Sequence, residues 1–571
     1  MTLPSASIPA ALAAFLLAGC GSLASHRLPD PPATPTACAD LKGLEIPAAA
    51  IGLPTRGAVV TDAAVVAAAG AGAAALPAFC RALGDIRPVD PAAPSIKFQV
   101  NLPASWNGKT LMFGGGGYNG IIATAVGNVP AGPVNKPLPL ARGYATFGSD
   151  SGHQAGPATS RDGSFGMNEE ALRNFAGDAL KKTRDAATIV VQHHYAQRPQ
   201  RRYFAGGSTG GREALLAVGN WPQDFDGAIV LYPAWNAAAL NLQLGRFTRA
   251  MAQPGAYLNR EKRRTLLDAS LEACDSLDGV ADGLVSNVRA CEARFDPARA
   301  ILKGKPLRCA GGADTGNDCL SDAQIAGLMA LERPLELPYR LASGENGYPG
   351  FTLWGTDFGV PNASPLQPTV VTLSLGTVAP ANPMPPVRLP ESPPYGSTFW
   401  EQWVKYLVTR DPAFDPLAID PLNPGRWQNR IVELTGLQDA NRTDYSAFAA
   451  RGGKILMAHG MHDALVSPRA TRQLMDRLRR QMGDASLRTF LRYYEIPGYG
   501  HAISTTFNAA WDSLTALEEW VERGAAPGPQ VVADTAGVPG RTRPLCEWPL
   551  WPRYRGGGDV NAAASYECAG P

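Results

Sequence analysis

Tyr203-Phe204-Ala205-Gly206-Gly207-Ser208-Thr209-Gly210-Gly211-Arg212 is the stretch on which the reading of this chain turns. A β-prone run enters a glycine-rich turn, and Glu213-Ala214-Leu215-Leu216 leaves it with helical composition. So sharp a passage from strand to helix closes only when small residues stand two before and two after the serine, here Gly206 and Gly210. The turn thrusts the Ser208 hydroxyl out of the backbone to where a substrate can meet it. In a chain with 61 glycines the pattern also arises by chance, so its meaning depends on its surroundings.

Working outward, the apolar run Thr110-Leu111-Met112-Phe113 reads as a strand and ends in Gly114-Gly115-Gly116-Gly117-Tyr118-Asn119-Gly120. Four glycines after a strand let backbone N–H groups face a cavity; a flexible surface loop is the other reading. Residues 96–100 and 144–147 read as further strands, and 169–194 as a helix with Leu172, Phe175, Leu180, Ala187, Val190 and Val191 on one apolar face. Beyond the turn, 226–232 is a buried strand. From 236 to 451 helical patches alternate with proline-rich stretches, and Phe399, Trp400, Trp403 and Tyr406 fall at helical spacing, as a lobe core would. Lys454-Ile455-Leu456-Met457-Ala458 resumes the strands and runs into His459-Gly460-Met461-His462-Asp463. A helix is expected over 469–482, a strand over 488–494, the loop Pro497-Gly498-Tyr499-Gly500-His501, and an amphipathic helix over 507–523. This alternation predicts an α/β-hydrolase core from 38–235 and 452–571, with 236–451 inserted as a lid.

A serine hydroxyl is a poor nucleophile until a base takes its proton, and the base needs an acid to hold its tautomer. In this fold the three occur in the order Ser, Asp, His, on loops that leave successive strands. Ser208, Asp463 and His501 satisfy order and context together, whereas His459 and His462 precede the acid on its own loop. His153, in a loop, reads as a structural hydrogen-bonding residue. The oxyanion needs two N–H donors, expected from Thr209 and from either Gly116 or Gly117.

A formal net charge of +2 without a basic block argues against nucleic acid as a partner. Residues 8–18 are apolar but too few to span a bilayer, and they lead into Leu17-Ala18-Gly19-Cys20, the form of a lipoprotein signal. Residues 1–20 are therefore expected to be a signal with Cys20 as lipid anchor, or a plain signal peptide, and 21–37 a tether; either way the chain is exported. An exported chain keeps disulfides, and apart from Cys20 the cysteines form an even set. Pairing sequence neighbours gives Cys38 with Cys80, Cys274 with Cys291, Cys309 with Cys319 and Cys546 with Cys568. Between the second pair lie Asp275, Asp278 and Asp282 with interspersed glycines, which reads either as a Ca²⁺ loop or as a solvated acidic turn.

The serine turn, the glycine loop, the acidic loop and the Asp463 and His501 loops together resemble the tannase/feruloyl esterase family, over about 38–568. The resemblance implies hydrolysis of small esters of aromatic carboxylic acids and a structural Ca²⁺ in the lid, held by Asp275, Asp278 and Asp282 side chains and the Val280 and Leu284 carbonyls. It also implies no organic cofactor. One departure stands out: the family places bridged cysteines immediately before the nucleophile and after the catalytic histidine, where this chain has Gly207 and Ala502. A silent, calcium-stabilised binding protein or a secreted serine peptidase are the other functions these residues leave open.

Overall fold

The computed structural model describes residues 28–156, 159–388 and 391–570. The expected signal, Cys20 and the start of the tether lie outside the described residues. Ten strands form one sheet: β1 (Glu45–Ile46), β2 (Ala58–Val66), β3 (Phe79–Ile86), β4 (Ile96–Pro103), β5 (Lys109–Phe113), β6 (Ala145–Ser149), β7 (Arg201–Gly207), β8 (Gly227–Leu231), β9 (Lys454–Gly460) and β10 (Leu491–Ile496). Their spatial order is β1-β2-β3-β4-β6-β5-β7-β8-β9-β10. The first four strands and β6 pair antiparallel, and from β6 to β10 every pairing is parallel.

The two halves differ in sequence for a physical reason. Strand β3 alternates buried and half-buried residues, as a sheet with one wetter face requires, whereas β8 is buried throughout. Successive residues of the parallel strands feed different cores. Phe204, Val230 and Met457 enter the larger one, while Tyr203, Ala205, Ile229 and Leu456 enter the other. Helices α1 (Ala179–Tyr195) and α2 (Thr209–Asn220) belong to the first, and the last helix of the chain, Ser513–Arg523, places Leu514, Leu517 and Trp520 in the second. The fold is an α/β-hydrolase fold.

Between β8 and β9 the chain contributes no strand to this sheet among the described residues. It forms helices, among them α3 (Ala237–Met251) and α4 (Arg260–Cys274), and short two-stranded pairs. Trp400 and Trp403 are fully buried there, with ring centroids 5.8 Å apart, as a lobe core demands. All four cysteine pairs expected from sequence are bridged.

Some expectations are corrected. The stretch 38–102, read above for one strand at 96–100, holds the long antiparallel ladder β2 to β4, in which β2 carries Val59, Val60, Val65 and Val66 and pairs along its length with β3. The 169–194 helix is interrupted over Asn174–Asp178, where Gly177 leaves helical geometry. Residues Asp484–Arg488 are helical, so the strand begins at Leu491. The last helix starts at Ser513, where the Asp512 side chain accepts the Thr515 amide, and Ala509–Ala510 pairs as a strand instead.

Candidate active site

The chemistry gathers at the C-terminal ends of the parallel strands, where loops from β5, β7, β8, β9 and β10 meet. Strand β7 delivers Ser208 into a turn with φ 59° and ψ −123°, and α2 begins at the next residue. Non-glycine residues rarely hold this conformation, and it survives because the turn is tied on both sides. The Ser208 amide donates to the Leu231 carbonyl at 3.0 Å, and the amides of Gly211 and Arg212 donate to the Ser208 carbonyl. A Cβ on Gly206 would stand 2.1 Å from the Gly210 carbonyl oxygen, so the small residue at that position is obligatory.

His501 joins nucleophile to acid. Its Nε2 lies 3.0 Å from Ser208 Oγ and its Nδ1 2.8 Å from Asp463 Oδ2. The carboxylate is fully buried, and its Oδ1 accepts the amides of Leu465 and Val466 at 2.8 and 2.9 Å. Burial alone would raise the Asp463 pKa, but His501 and His459 oppose it by charge and hydrogen bonding and hold it far below the usual carboxylate range. Asp463 therefore remains an anion that orients His501.

The competing histidines have other partners. His459 is fully buried; its Nε2 is 2.9 Å from the Val466 carbonyl and 3.3 Å from Asp463 Oδ2, and its Nδ1 is 2.8 Å from Thr471 Oγ1. His462 accepts the Gly498 amide on Nδ1 at 2.9 Å, and burial pushes its pKa down to about 4, so it stays neutral and fixes the turn before His501. His153 does not contact Ser208; it stacks on Phe165 at 4.2 Å, a packing role rather than the hydrogen-bonding one expected of it.

The glycine loop after β5 packs against the nucleophile turn. Thr209 Oγ1 donates to the Gly117 carbonyl at 2.6 Å, and the Gly210 amide donates to the Gly115 carbonyl at 3.1 Å. The Gly115 amide is occupied by Glu213, which also accepts from Asn119 Nδ2 at 2.5 Å. The Gly116 and Gly117 amides make no hydrogen bond among the described residues and line the same cavity as Ser208, Thr209 and His501. Glu213 is a site residue that sequence reasoning missed, because a glutamate one turn into a helix ordinarily reads as solvent-facing.

That cavity has a volume of about 520 Å³. Tyr118, Phe175, Tyr395 and Phe399 give it aromatic walls, with Tyr118 stacked on Phe399 at 4.2 Å, and Leu240, Leu244 and Leu373 add aliphatic surface. Phe399 thus leaves the tryptophan core of its helix to serve as wall. No Lys, Arg, Asp or Glu lines the cavity among the described residues. Arg161 stacks on the Tyr395 ring at 4.5 Å without lining it.

The acidic loop lies apart from Ser208. Asp275 accepts the Gly283 amide at 2.9 Å, Asp278 the Ser286 amide at 3.0 Å, and Asp282 pairs with Arg543 and Tyr566. Burial pushes Asp278 up to about 7, with the charge of Asp282 adding to the shift, and Asp275 is raised by the same causes. Two crowded, desolvated carboxylates beside a third fit a hard cation that would offset their repulsion. Among the described residues no three acidic, histidine or cysteine side chains surround one point, because these oxygens turn to the loop's own amides and to Arg543.

Comparison with known proteins supplies the family. The family model described as tannase and feruloyl esterase matches residues 80–569. The chain is 39% identical to an uncharacterized esterase of Agrobacterium fabrum, over 93% of each chain. It is 31% identical to the mono(2-hydroxyethyl) terephthalate hydrolase of Piscinibacter sakaiensis, over 88% of this chain and 87% of the relative. The crystal structure of feruloyl esterase B from Aspergillus oryzae superposes with a TM-score of 0.70 at 22% identity, over 90% of this chain and 97% of that one. The chain belongs to the tannase and feruloyl esterase family and is a carboxylic ester hydrolase.

Proposed function

We propose that this enzyme hydrolyses esters of aromatic carboxylic acids through an acyl-enzyme on Ser208, beneath a lid formed by residues 236–451. The observation that carries the reading is His501, hydrogen-bonded to both Ser208 and Asp463 at the edge of an uncharged, aromatic-walled cavity. Ser208 Oγ attacks the ester carbonyl while its proton passes to His501 Nε2. The developing oxyanion is met by the Thr209 amide and by the amide of Gly116 or Gly117. His501 then gives its proton to the leaving alcohol, and a water repeats the sequence on the acyl-enzyme, with His501 taking the water's proton and returning it to Ser208.

The cavity's lining narrows the acyl group. A terephthalate monoester carries a second carboxylate on its ring, and burying that charge without a cation is costly. No Lys or Arg lines the cavity among the described residues, and His501 is engaged with Ser208 and Asp463, so the acyl group is an uncharged ring, of the hydroxycinnamoyl or galloyl kind. Calcium at Asp275, Asp278 and Asp282 with the Val280 and Leu284 carbonyls would relieve the buried acidic loop and stabilise the fold, without touching the reacting atoms. Four disulfides support export to an oxidising compartment.

The test is kcat/KM on a panel of hydroxycinnamate, gallate and terephthalate monoesters, with Ser208→Ala as control. We expect the terephthalate ester to be at least about tenfold poorer. A terephthalate preference would overturn the neutral-pocket reading, and undiminished turnover by Ser208→Ala would overturn the mechanism.

A further inference from the structure

We infer that Tyr232 is a positioning residue that couples the Ser208 turn to the His501 turn by packing, in the place where a covalent link between positions 207 and 502 would otherwise run. The inference rests on the assignment of Ser208 and His501 as nucleophile and base.

Tyr232 is the first residue after β8, with φ 35°, an uncommon conformation for a bulky side chain. Its amide donates to the Ala458 carbonyl on β9 at 2.7 Å, which holds the backbone in place. The ring is buried and wedges between the catalytic turns. A Cβ built on Gly207 would lie 2.5 Å from Tyr232 Cε2 and 2.6 Å from its Cζ and hydroxyl, so the ring fills the volume of any side chain at that position. It also meets His501 edge to face, with centroids 5.1 Å apart and planes at 60°.

A second ring continues the connection. Tyr232 meets the Tyr499 ring edge to face, with centroids 6.1 Å apart and planes at 63°, and the Tyr499 hydroxyl donates to the Ala502 carbonyl at 2.6 Å. Ala502 itself stands at φ 63°, so that turn too is held in an uncommon conformation. One side of the link is therefore Gly207, next to the nucleophile, and the other is Ala502, next to the base. Burial raises the Tyr232 hydroxyl pKa, which keeps the brace neutral through the working range.

Glycine at 207 is then a requirement of the brace, since ring and side chain exclude each other. This yields a double-mutant cycle. Gly207→Ala in the native background collides with the ring and should lower kcat, whereas in a Tyr232→Ala background the same substitution should cost nothing more. Tyr232→Ala alone should lower kcat by about 10²-fold, as a small misplacement of base against nucleophile does, with KM changed less than about threefold. Tyr232→Phe keeps the ring and should restore most of that loss. Thermal melts of each variant identify folded protein, and fluorophosphonate labelling of Ser208 in the unsubstituted enzyme tests the underlying assignment separately.

Additive effects of the two substitutions would overturn the proposal, as would a folded Tyr232→Ala enzyme with unchanged kcat. A rise in KM alone would make Tyr232 a substrate contact instead. Should Tyr232→Ala not fold, Gly207→Ala against Tyr232→Phe decides, because a ring that braces requires the same collision and the same loss of kcat in both backgrounds.

Discussion

The acidic loop and the catalytic loops touch, yet they are built on opposite principles. Leu284 ends the acidic loop inside the smaller core beside Tyr499, close enough that a Cβ on Gly498 would stand 2.5 Å from its side chain. On the acidic side the chain is stapled: Cys274–Cys291 closes the loop, and Cys546–Cys568 ties the C-terminal segment whose Arg543 pairs with Asp282. On the catalytic side no disulfide reaches Ser208 or His501 among the described residues, and hydrogen bonds with two tyrosine rings hold the geometry. A covalent link mainly limits the unfolded chain, whereas packing and hydrogen bonds set where atoms sit in the folded one. The difference implies that stability and turnover are separable in this molecule.

Substitutions on the catalytic side should break turnover and spare melting. The largest effect is expected for Asp463→Asn, which replaces the acceptor of His501 Nδ1 by a group that can favour the wrong tautomer; kcat should fall by about 10⁴-fold. Steady-state kinetics beside a thermal melt would check it, and a loss of less than tenfold would mean that another group holds His501. On the stapled side, Cys274→Ala with Cys291→Ala should cost about 2–5 kcal/mol of stability, read by denaturant unfolding, with kcat at 25 °C unchanged. A parallel fall in kcat would show that the acidic loop positions His501 through Leu284, and the separation would fail.

The sequence showed the catalytic side more clearly than the mechanics that support it. Ser208, Asp463 and His501 were legible because a strained turn needs glycines at fixed offsets and because the order of the three residues follows the strand order. The parallel strands were legible because burial on both faces leaves nearly continuous apolar runs. Strand β2 was not, although Val59, Val60, Val65 and Val66 are β-prone, because Asp62, Ala63 and Ala64 interrupt its apolar pattern and its pairing with β1 and β3 carries no local signal. Glu213 and Tyr232 escaped for a different reason. Each acts across the fold, on a residue far away in sequence, and neither its type nor its spacing carries a local signal. His459 shows the intermediate case: sequence marked it as a rival base, and the structure places it against Asp463 instead.

Calcium offers a gentler probe of the stapled side. Excess chelator should lower Tm by roughly 2–5 °C, because removing a ligand of the folded state forfeits its linkage energy, and Asp278→Asn should abolish the difference. Equal melting temperatures with chelator and with added Ca²⁺ would overturn the proposed calcium and leave Arg543 as the counter-charge of Asp282.

A further effect concerns helix α3, whose Leu240 and Leu244 line the cavity while its first turn is held by Asp439. Asp439 Oδ1 accepts the Ala238 amide at its first turn at 2.7 Å, while the buried Oδ2 has no hydrogen-bond partner among the described residues. Burial pushes the Asp439 pKa up to about 8, against the pull of the Ala238 amide, Arg212 and Arg477. A carboxyl whose folded pKa lies above its unfolded value holds a proton that the unfolded chain has already lost, so unfolding releases it. This group's contribution to stability is whole below about pH 4 and is lost as the pH rises toward 8. Asp439→Asn keeps the acceptor for Ala238 but cannot ionise, so its Tm relative to the native enzyme should climb steadily between those limits. Melts at successive pH values would measure it. A flat difference would show that Arg212 and Arg477 keep the carboxylate charged, and a matching change in kcat would show that the Asp439 charge also shifts the cavity wall that α3 and Gln438 supply.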